Sequence, residues 1–315
     1  MPQCVIMILL MTPIFAPPQV WRECFAREIP ELEVRFWPEA GDLATVDIVA
    51  CGRMPDNALR SMPNLKLIVS LFAGQDLFLS DKTIPENVPI VRAANPAGDQ
   101  MMTEMVILHV LRHHRQIPEL LLAQQKSEWA SPKRLKTRDR KVGIMGLGPI
   151  GAAAAKAVRD LGFETAAWVR RPRQLNGIEI FHGPDQLAAF LGRSEIVVNL
   201  LPLTTETEDI LGAKNFALMP KGASVINLGR GPHVVDADLI AALDSGQLVA
   251  ATLDVFRQEP LPKEHPFWRH PRITVIPHAS RGQFPAEIAP LICNHIRRFQ
   301  RGEKMTDRVD IAAGY

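Results

Sequence analysis

A GxGxxG spacing at Gly146, Gly148 and Gly151 sits inside the stretch KVGIMGLGPIG, residues 141–151. Alone this pattern is common. Here an apolar run precedes it and an alanine-rich helical stretch, Ala152 to Leu161, follows, which is the context a phosphate-binding turn requires. Gly146 would make the tight turn, Gly148 would let the backbone approach a pyrophosphate, and Gly151 would let helix and strand pack closely. Pro149 suits the first helical position, where its missing N–H is no loss. With Ile150 it opens a helix whose free N–H groups and dipole favour a phosphate. The chemistry implied is dinucleotide binding; the alternative is a strand–turn–helix without a ligand.

The next strand should end near AAWVRRPRQ, residues 166–174, with Trp168 and Val169 closing it. An NAD site normally places an acid here to hold the adenosine ribose, yet no Asp or Glu lies between Thr165 and Gly177. Arg170, Arg171 and Arg173 stand in its place, and guanidinium forks match a phosphate bidentately. A 2′-phosphate, and so NADP(H), is the expected ligand, with Arg170 the first candidate to touch it. An exposed basic turn is the plainer alternative.

Ligands of open parallel sheets bind beyond the carboxyl ends of the strands. Arg230 follows the predicted strand Ser224–Leu228, Asp254 and Glu259 follow Leu248–Leu253, and His278 follows Ile273–Ile276. Each has a structural alternative, a surface arginine or a strand-capping histidine, but together they form one inventory. Reduction of a 2-oxo acid needs a guanidinium to bind the carboxylate and polarise the carbonyl, and an imidazolium to deliver a proton. A carboxylate beside an imidazole fixes its orientation and favours its protonated form.

These residues must be positioned by strands and helices. Val5–Leu10, Leu32–Phe36, Val46–Cys51, Leu65–Leu71 and Pro89–Arg92 read as strands, with Gln19–Ile29 as a helix, giving a small parallel α/β domain. Asn95-Pro96-Ala97-Gly98 breaks the pattern, and a long helical segment is expected from Gln100 to about Lys126. A second series follows, with strands at Val142–Met145, Thr165–Val169, Glu179–Phe181, Glu195–Leu200, Ser224–Leu228, Leu248–Leu253 and Ile273–Ile276. Runs this apolar suit a sheet covered on both faces. A doubly wound (Rossmann) cofactor domain is therefore expected over residues 97–282, and a helix over Pro285–Phe299 returning to the first domain, residues 1–96 and 283–315.

The 315 residues carry a formal net charge of +2 with 47% hydrophobic and 22% charged residues, which gives no electrostatic case for a nucleic acid or membrane partner. The basic run KRLKTRDRK, residues 133–141, has no interleaved aromatics and reads as a solvated linker. Cys4, Cys24, Cys51 and Cys293 are scattered, as in a reducing compartment. Val5 to Ala16 lacks a basic flank and is too short to span a bilayer, so a buried strand and a cytoplasmic location are expected. His109 and His113 have a zinc-like spacing, but Val110 replaces the glutamate of HExxH and no third ligand is evident, so no metal is expected. A serine hydrolase has no GxSxG to support it.

At these motifs the chain resembles the D-isomer-specific 2-hydroxyacid dehydrogenases, and within them the glyoxylate/hydroxypyruvate reductases. The likeness rests on GLGPIG (146–151), NLLPLTTET (199–207), INLGRGPHVVDADLIAALDSG (226–246), LDVFRQEPLP (253–262) and TVIPHAS (274–280). It implies Arg230 as the substrate arginine, His278 as general acid/base and Glu259 as its partner. Asp254 would face the nicotinamide carboxamide, with Leu201, Pro202, Thr207 and Leu228 also beside the cofactor. It further implies a flavodoxin-like lid domain whose turn Phe72-Ala73-Gly74-Gln75-Asp76 holds the substrate carboxylate. Trp37 and Met102 or Glu104 would lie near the pocket, and the protein would be a homodimer. Ala279-Ser280-Arg281-Gly282-Gln283 is less apolar than the family's usual run, and Phe72 and Gln75 are bulkier or more polar than common. A bulkier substrate such as phenylpyruvate, or an NAD(P)-sensing binding protein like the related C-terminal-binding corepressors, are the competing readings. Glu259 argues against the related formate dehydrogenases, which carry glutamine there.

Overall fold

Apolar runs become parallel strands in both halves of the chain. The computed structural model describes residues 7–72, 74–81 and 83–311, so Val5 and Ile6 lie outside the described residues. It divides into two units, Met1–Ala97 with Gln283–Tyr315, and Gly98–Gly282.

In the first unit β1 (Ile8–Met11), β2 (Glu33–Phe36), β3 (Ile48–Cys51), β4 (Leu67–Ser70) and β5 (Ile90–Arg92) form a parallel sheet in the order β2-β1-β3-β4-β5. This is the flavodoxin order. Leu9, Met11, Ile48, Ala50, Leu67 and Val69 enter one core, while Leu10, Val49, Cys51 and Ile68 enter another. Burial on both faces removes any need for polar alternation, which is why these strands read as continuous apolar runs. Trp21 and Phe25 of the helix Pro18–Glu28 cover the first face with Ile288, Ile292 and Ile296 of the helix Pro285–Gln300. The four-residue spacing of those isoleucines makes one apolar helical stripe.

In the second unit β6 (Lys141–Met145), β7 (Glu164–Val169), β8 (Glu179–His182), β9 (Ile196–Asn199), β10 (Ala223–Asn227), β11 (Leu248–Leu253) and β12 (Ile273–Val275) form a parallel sheet. Its order is β12-β11-β10-β9-β6-β7-β8, with a core cluster on each face. The winding reverses between β6 and β9, so the crevice at their carboxyl ends is the place for a ligand.

The long helix departs from its expected form. It begins at Pro96 rather than Gln100 and ends at His114, and a second helix runs over Ile117–Gln125. Gln116 between them has φ 56°. Pro118 is the cause: it lacks an N–H, and its ring would collide with the carbonyl four residues earlier.

His109 and His113 face inward from this helix, only 5% and 4% exposed. His113 Nε2 shares a 3.0 Å hydrogen bond with Thr252 Oγ1. Neither ring nitrogen of His109 has a hydrogen-bond partner among the described residues. Burial pushes both imidazoles down, to about 4 at His109 and about 3 at His113, and the Arg112 charge adds to it. Below pH ~6.5 the unfolded chain takes up protons that the folded chain refuses. Their stability contribution is therefore complete above ~6.5 and is lost as pH falls toward the folded values, at about 1.4 kcal/mol per pH unit for each group. The urea midpoint should drop between about pH 7.5 and pH 5.5, and His109→Leu should shrink that drop. An undiminished drop in the variant would clear His109 as a cause.

Candidate active site

The glycine turn divides its labour by position. Gly146 has φ +92°, and a Cβ there would stand 2.9 Å from the Leu200 carbonyl oxygen. At Gly151 a Cβ would stand 2.0 Å from the carbonyl oxygen of Gly146, so the helix Pro149–Asp160 can approach β6 only without a side chain there. Gly148 differs: a Cβ would meet no described atom within 4 Å. That open side lies at the N-cap of a helix whose first residue is Pro149 and whose first turn has no acid. Ile150 and Gly151 stand where backbone N–H groups lack intrahelical acceptors. The turn thus fits a dinucleotide pyrophosphate.

Trp168 and Val169 end β7, and Trp168 Nε1 donates to the Gly183 carbonyl at 2.8 Å. Arg170, Arg171 and Arg173 are exposed beyond it. Arg173 Nη1 donates to the carbonyl of Leu147, which brings that arginine onto the glycine turn itself.

Arg230 follows β10 between two glycines without room for a side chain. A Cβ at Gly231 would lie 1.9 Å from the Phe256 carbonyl carbon. The arginine segment therefore lies directly on the backbone leading to Glu259. The Phe256 N–H donates to Glu259 Oε1 at 2.9 Å, and Glu259 Oε2 stands 2.7 Å from His278 Nδ1. A carboxylate only accepts, so Nδ1 carries the proton and Nε2 is the nitrogen left to act on a substrate. The His278 side chain is 55% exposed.

Asp254 secures this histidine. His278 has φ 49°, a left-handed conformation that costs a non-glycine residue about 1–2 kcal/mol. Its N–H donates to the Asp254 carbonyl at 2.9 Å, and the N–H groups of Ala279 and Ser280 donate to Asp254 Oδ1 at 2.8 and 3.1 Å. Asp254 is 2% exposed, and burial pushes its carboxyl up against the opposing pull of those N–H groups. It grips the turn that carries His278. Arg281 pairs with Asp99 at 3.3 Å just beyond.

Other expected site residues are placed less openly. Met102 is buried with Val106 and Val110 in a core cluster. Leu201 and Leu228 are likewise core residues. The Thr207 hydroxyl donates to the Pro202 carbonyl at 2.7 Å and shapes the rim loop. Trp37, Gly74 and Gln75 belong to the first unit. Trp37 packs at the edge of a core, and Gln75 is buried with Nε2 donating to the Phe72 carbonyl at 2.6 Å. Ala73 lies outside the described residues. Among the described residues no cluster of His, Cys, Asp or Glu could hold a metal, and no helix is long and apolar enough to cross a membrane.

The sequence reading passed over Asn199, Asn227 and His233. All three are fully buried and hydrogen-bonded to one another or to the rim loops. A signal existed: the apolar runs IVVN and ASVIN each end on asparagine.

The second unit sets a glycine turn that fits a pyrophosphate and an imidazole–carboxylate pair at the carboxyl ends of its strands, which places it with the dinucleotide-dependent dehydrogenases. The chain belongs to the D-isomer specific 2-hydroxyacid dehydrogenase family, whose NAD binding domain matches residues 107–280. It is 38% identical to the glyoxylate/hydroxypyruvate reductase A of Serratia proteamaculans over 94% of this chain and 96% of that protein. A D-isomer specific 2-hydroxyacid dehydrogenase from Xanthobacter autotrophicus Py2, solved with NADPH and MES, superposes with a TM-score of 0.93. It is 38% identical, with 98% of this chain and 99% of that one covered. An NADPH-dependent glyoxylate/hydroxypyruvate reductase from Sinorhizobium meliloti, solved with NADP and sulfate, gives a TM-score of 0.89 at 33% identity, covering 98% and 100%.

Proposed function

We propose that the protein uses NADPH to reduce small 2-oxo acids, glyoxylate and hydroxypyruvate, to glycolate and D-glycerate. The observation that carries this reading is the 2.7 Å pair of Glu259 and His278 on the strand-end rim shared with Arg230 and the glycine turn. The Arg230 guanidinium binds the substrate carboxylate and polarises the neighbouring carbonyl. When bound there, NADPH would supply the hydride for C2. His278 Nε2 gives the carbonyl oxygen its proton, and Glu259 stabilises the imidazolium before that proton leaves. Gly148, Pro149, Ile150 and Gly151 line the pyrophosphate cradle, and Arg170, Arg171 and Arg173 supply cations for a 2′-phosphate. The relatives named for glyoxylate and hydroxypyruvate, and those solved with NADP or NADPH, support the choice of substrate and cofactor.

A panel of 2-oxo acids assayed with NADPH and NADH tests the reading. Turnover of glyoxylate or hydroxypyruvate with NADPH is expected; no turnover of any 2-oxo acid would sink it. The double variant Arg170→Ala, Arg171→Ala tests the cofactor choice. A charge-assisted hydrogen bond contributes ~1.5–3 kcal/mol, so KM for NADPH should rise about tenfold or more while KM for NADH barely moves. Equal effects on both cofactors would remove the 2′-phosphate from these arginines.

A further inference from the structure

We infer that Asn199, Asn227 and His233 are positioning residues that lock the Arg230 backbone and the Leu201–Pro202 turn into one piece. The inference rests on the proposed function, in which Arg230 holds the substrate carboxylate.

The two asparagines end neighbouring strands and face each other in the parallel register of β9 and β10. Asn199 Nδ2 donates to Asn227 Oδ1 at 2.9 Å and to His233 Nδ1 at 2.7 Å, while its Oδ1 accepts from the Leu201 N–H at 3.2 Å. Asn227 Oδ1 also accepts from the Gly229 N–H at 3.2 Å, and its Nδ2 donates to the Arg230 carbonyl at 3.0 Å. Both amides are thus used at every polar atom. The Arg230 N–H donates to His233 Nδ1 at 3.1 Å. An amide N–H cannot accept, so Nδ1 carries no proton and the ring is the Nε2–H tautomer. Nε2 then donates to the Pro202 carbonyl at 3.2 Å, the same oxygen that receives the Thr207 hydroxyl.

All three side chains are 0% exposed. Desolvating them is tolerable because each finds its partners, and a satisfied buried network specifies a single geometry. The geometry specified is functional in its placement. Arg230 is held at its N–H by His233 and at its carbonyl by Asn227. Its guanidinium therefore projects from a backbone fixed on both sides, rather than from a free loop tip. The same histidine reaches the turn that follows β9 beside the glycine loop. Gly229 completes the fit, since a Cβ there would stand 3.0–3.1 Å from Asn199 Nδ2, His233 Nδ1 and the Leu201 carbonyl.

Two measurements test this. Nitrogen NMR of the wild-type imidazoles needs no variant: His233 should show the Nε2–H tautomer, with and without NADPH. An Nδ1–H signature would overturn the network. The second is Asn227→Asp, isosteric, which keeps the Oδ1 acceptor but sets an anionic oxygen against the Arg230 carbonyl. KM for glyoxylate should rise about tenfold, with KM for NADPH within about twofold and the thermal midpoint of the holoenzyme reported alongside. A purely structural role would lower the midpoint and leave glyoxylate KM unmoved, and that result overturns the positioning role while the function stands. Wild-type protein that turns over no 2-oxo acid would instead overturn the function, and the role of Arg230 with it.

Discussion

Replacing His278 by alanine should lower kcat for 2-oxo acid reduction by about 10²–10⁴, the usual contribution of a positioned general acid. NADPH affinity should change by less than about twofold, because no part of the pyrophosphate cradle or the basic turn touches the imidazole. The geometry makes the histidine hard to substitute by solvent. Nδ1 is occupied by Glu259 at 2.7 Å, and the backbone is held left-handed by Asp254, so Nε2 presents from a fixed origin. Glu259→Gln keeps a hydrogen-bonding oxygen beside Nδ1 and removes the charge that favours the imidazolium, so its loss should be smaller. Undiminished turnover in His278→Ala would take the residue out of the mechanism.

The second large effect is a contrast between two alanine substitutions three residues apart. Gly148→Ala meets no described atom within 4 Å and needs no unusual φ, so unfolding free energy should stay within about 0.5 kcal/mol of wild type. The added methyl would occupy the side on which the pyrophosphate approaches, and NADPH affinity should fall about tenfold or more. Gly151→Ala drives a methyl to 2.0 Å from the Gly146 carbonyl oxygen, a backbone atom that cannot step aside. Its cost should appear in stability first, about 1–3 kcal/mol, with binding lost as the turn deforms. Urea unfolding and fluorescence titration with NADPH separate the two. Normal NADPH binding by Gly148→Ala would show that no phosphate lies against that turn.

Much of this molecule was written in local pattern. Strands buried on both faces must be apolar throughout, so twelve short runs announced two parallel sheets, most of them within a residue or two of the observed ends. The roles of Gly146, Gly148 and Gly151 follow from spacing plus context. The order of motifs placed Arg230, Glu259 and His278 after successive strands, and in a parallel sheet every strand ends on the same edge. Pro118 also carried its message: its missing N–H divides the helical segment in two.

Other features existed only once the chain had folded. His109 and His113 share a helical face by spacing alone, as a metal pair would. Only the fold turns that face into the core, where Thr252, 139 residues further on, becomes the partner of His113. Asp254 could be assigned to the rim, but its hold on Ala279 and Ser280, 25 and 26 residues away, depends on how β12 lies beside β11. Asn199, Asn227 and His233 are the sharpest case, since their bonds join segments 28 and 34 residues apart. Sequence by itself determined the periodicities, the glycine turn and the chemical inventory, because those depend on neighbours along the chain. Tertiary structure alone decided which polar side chains are desolvated and therefore must be paired, because burial is set by neighbours in space.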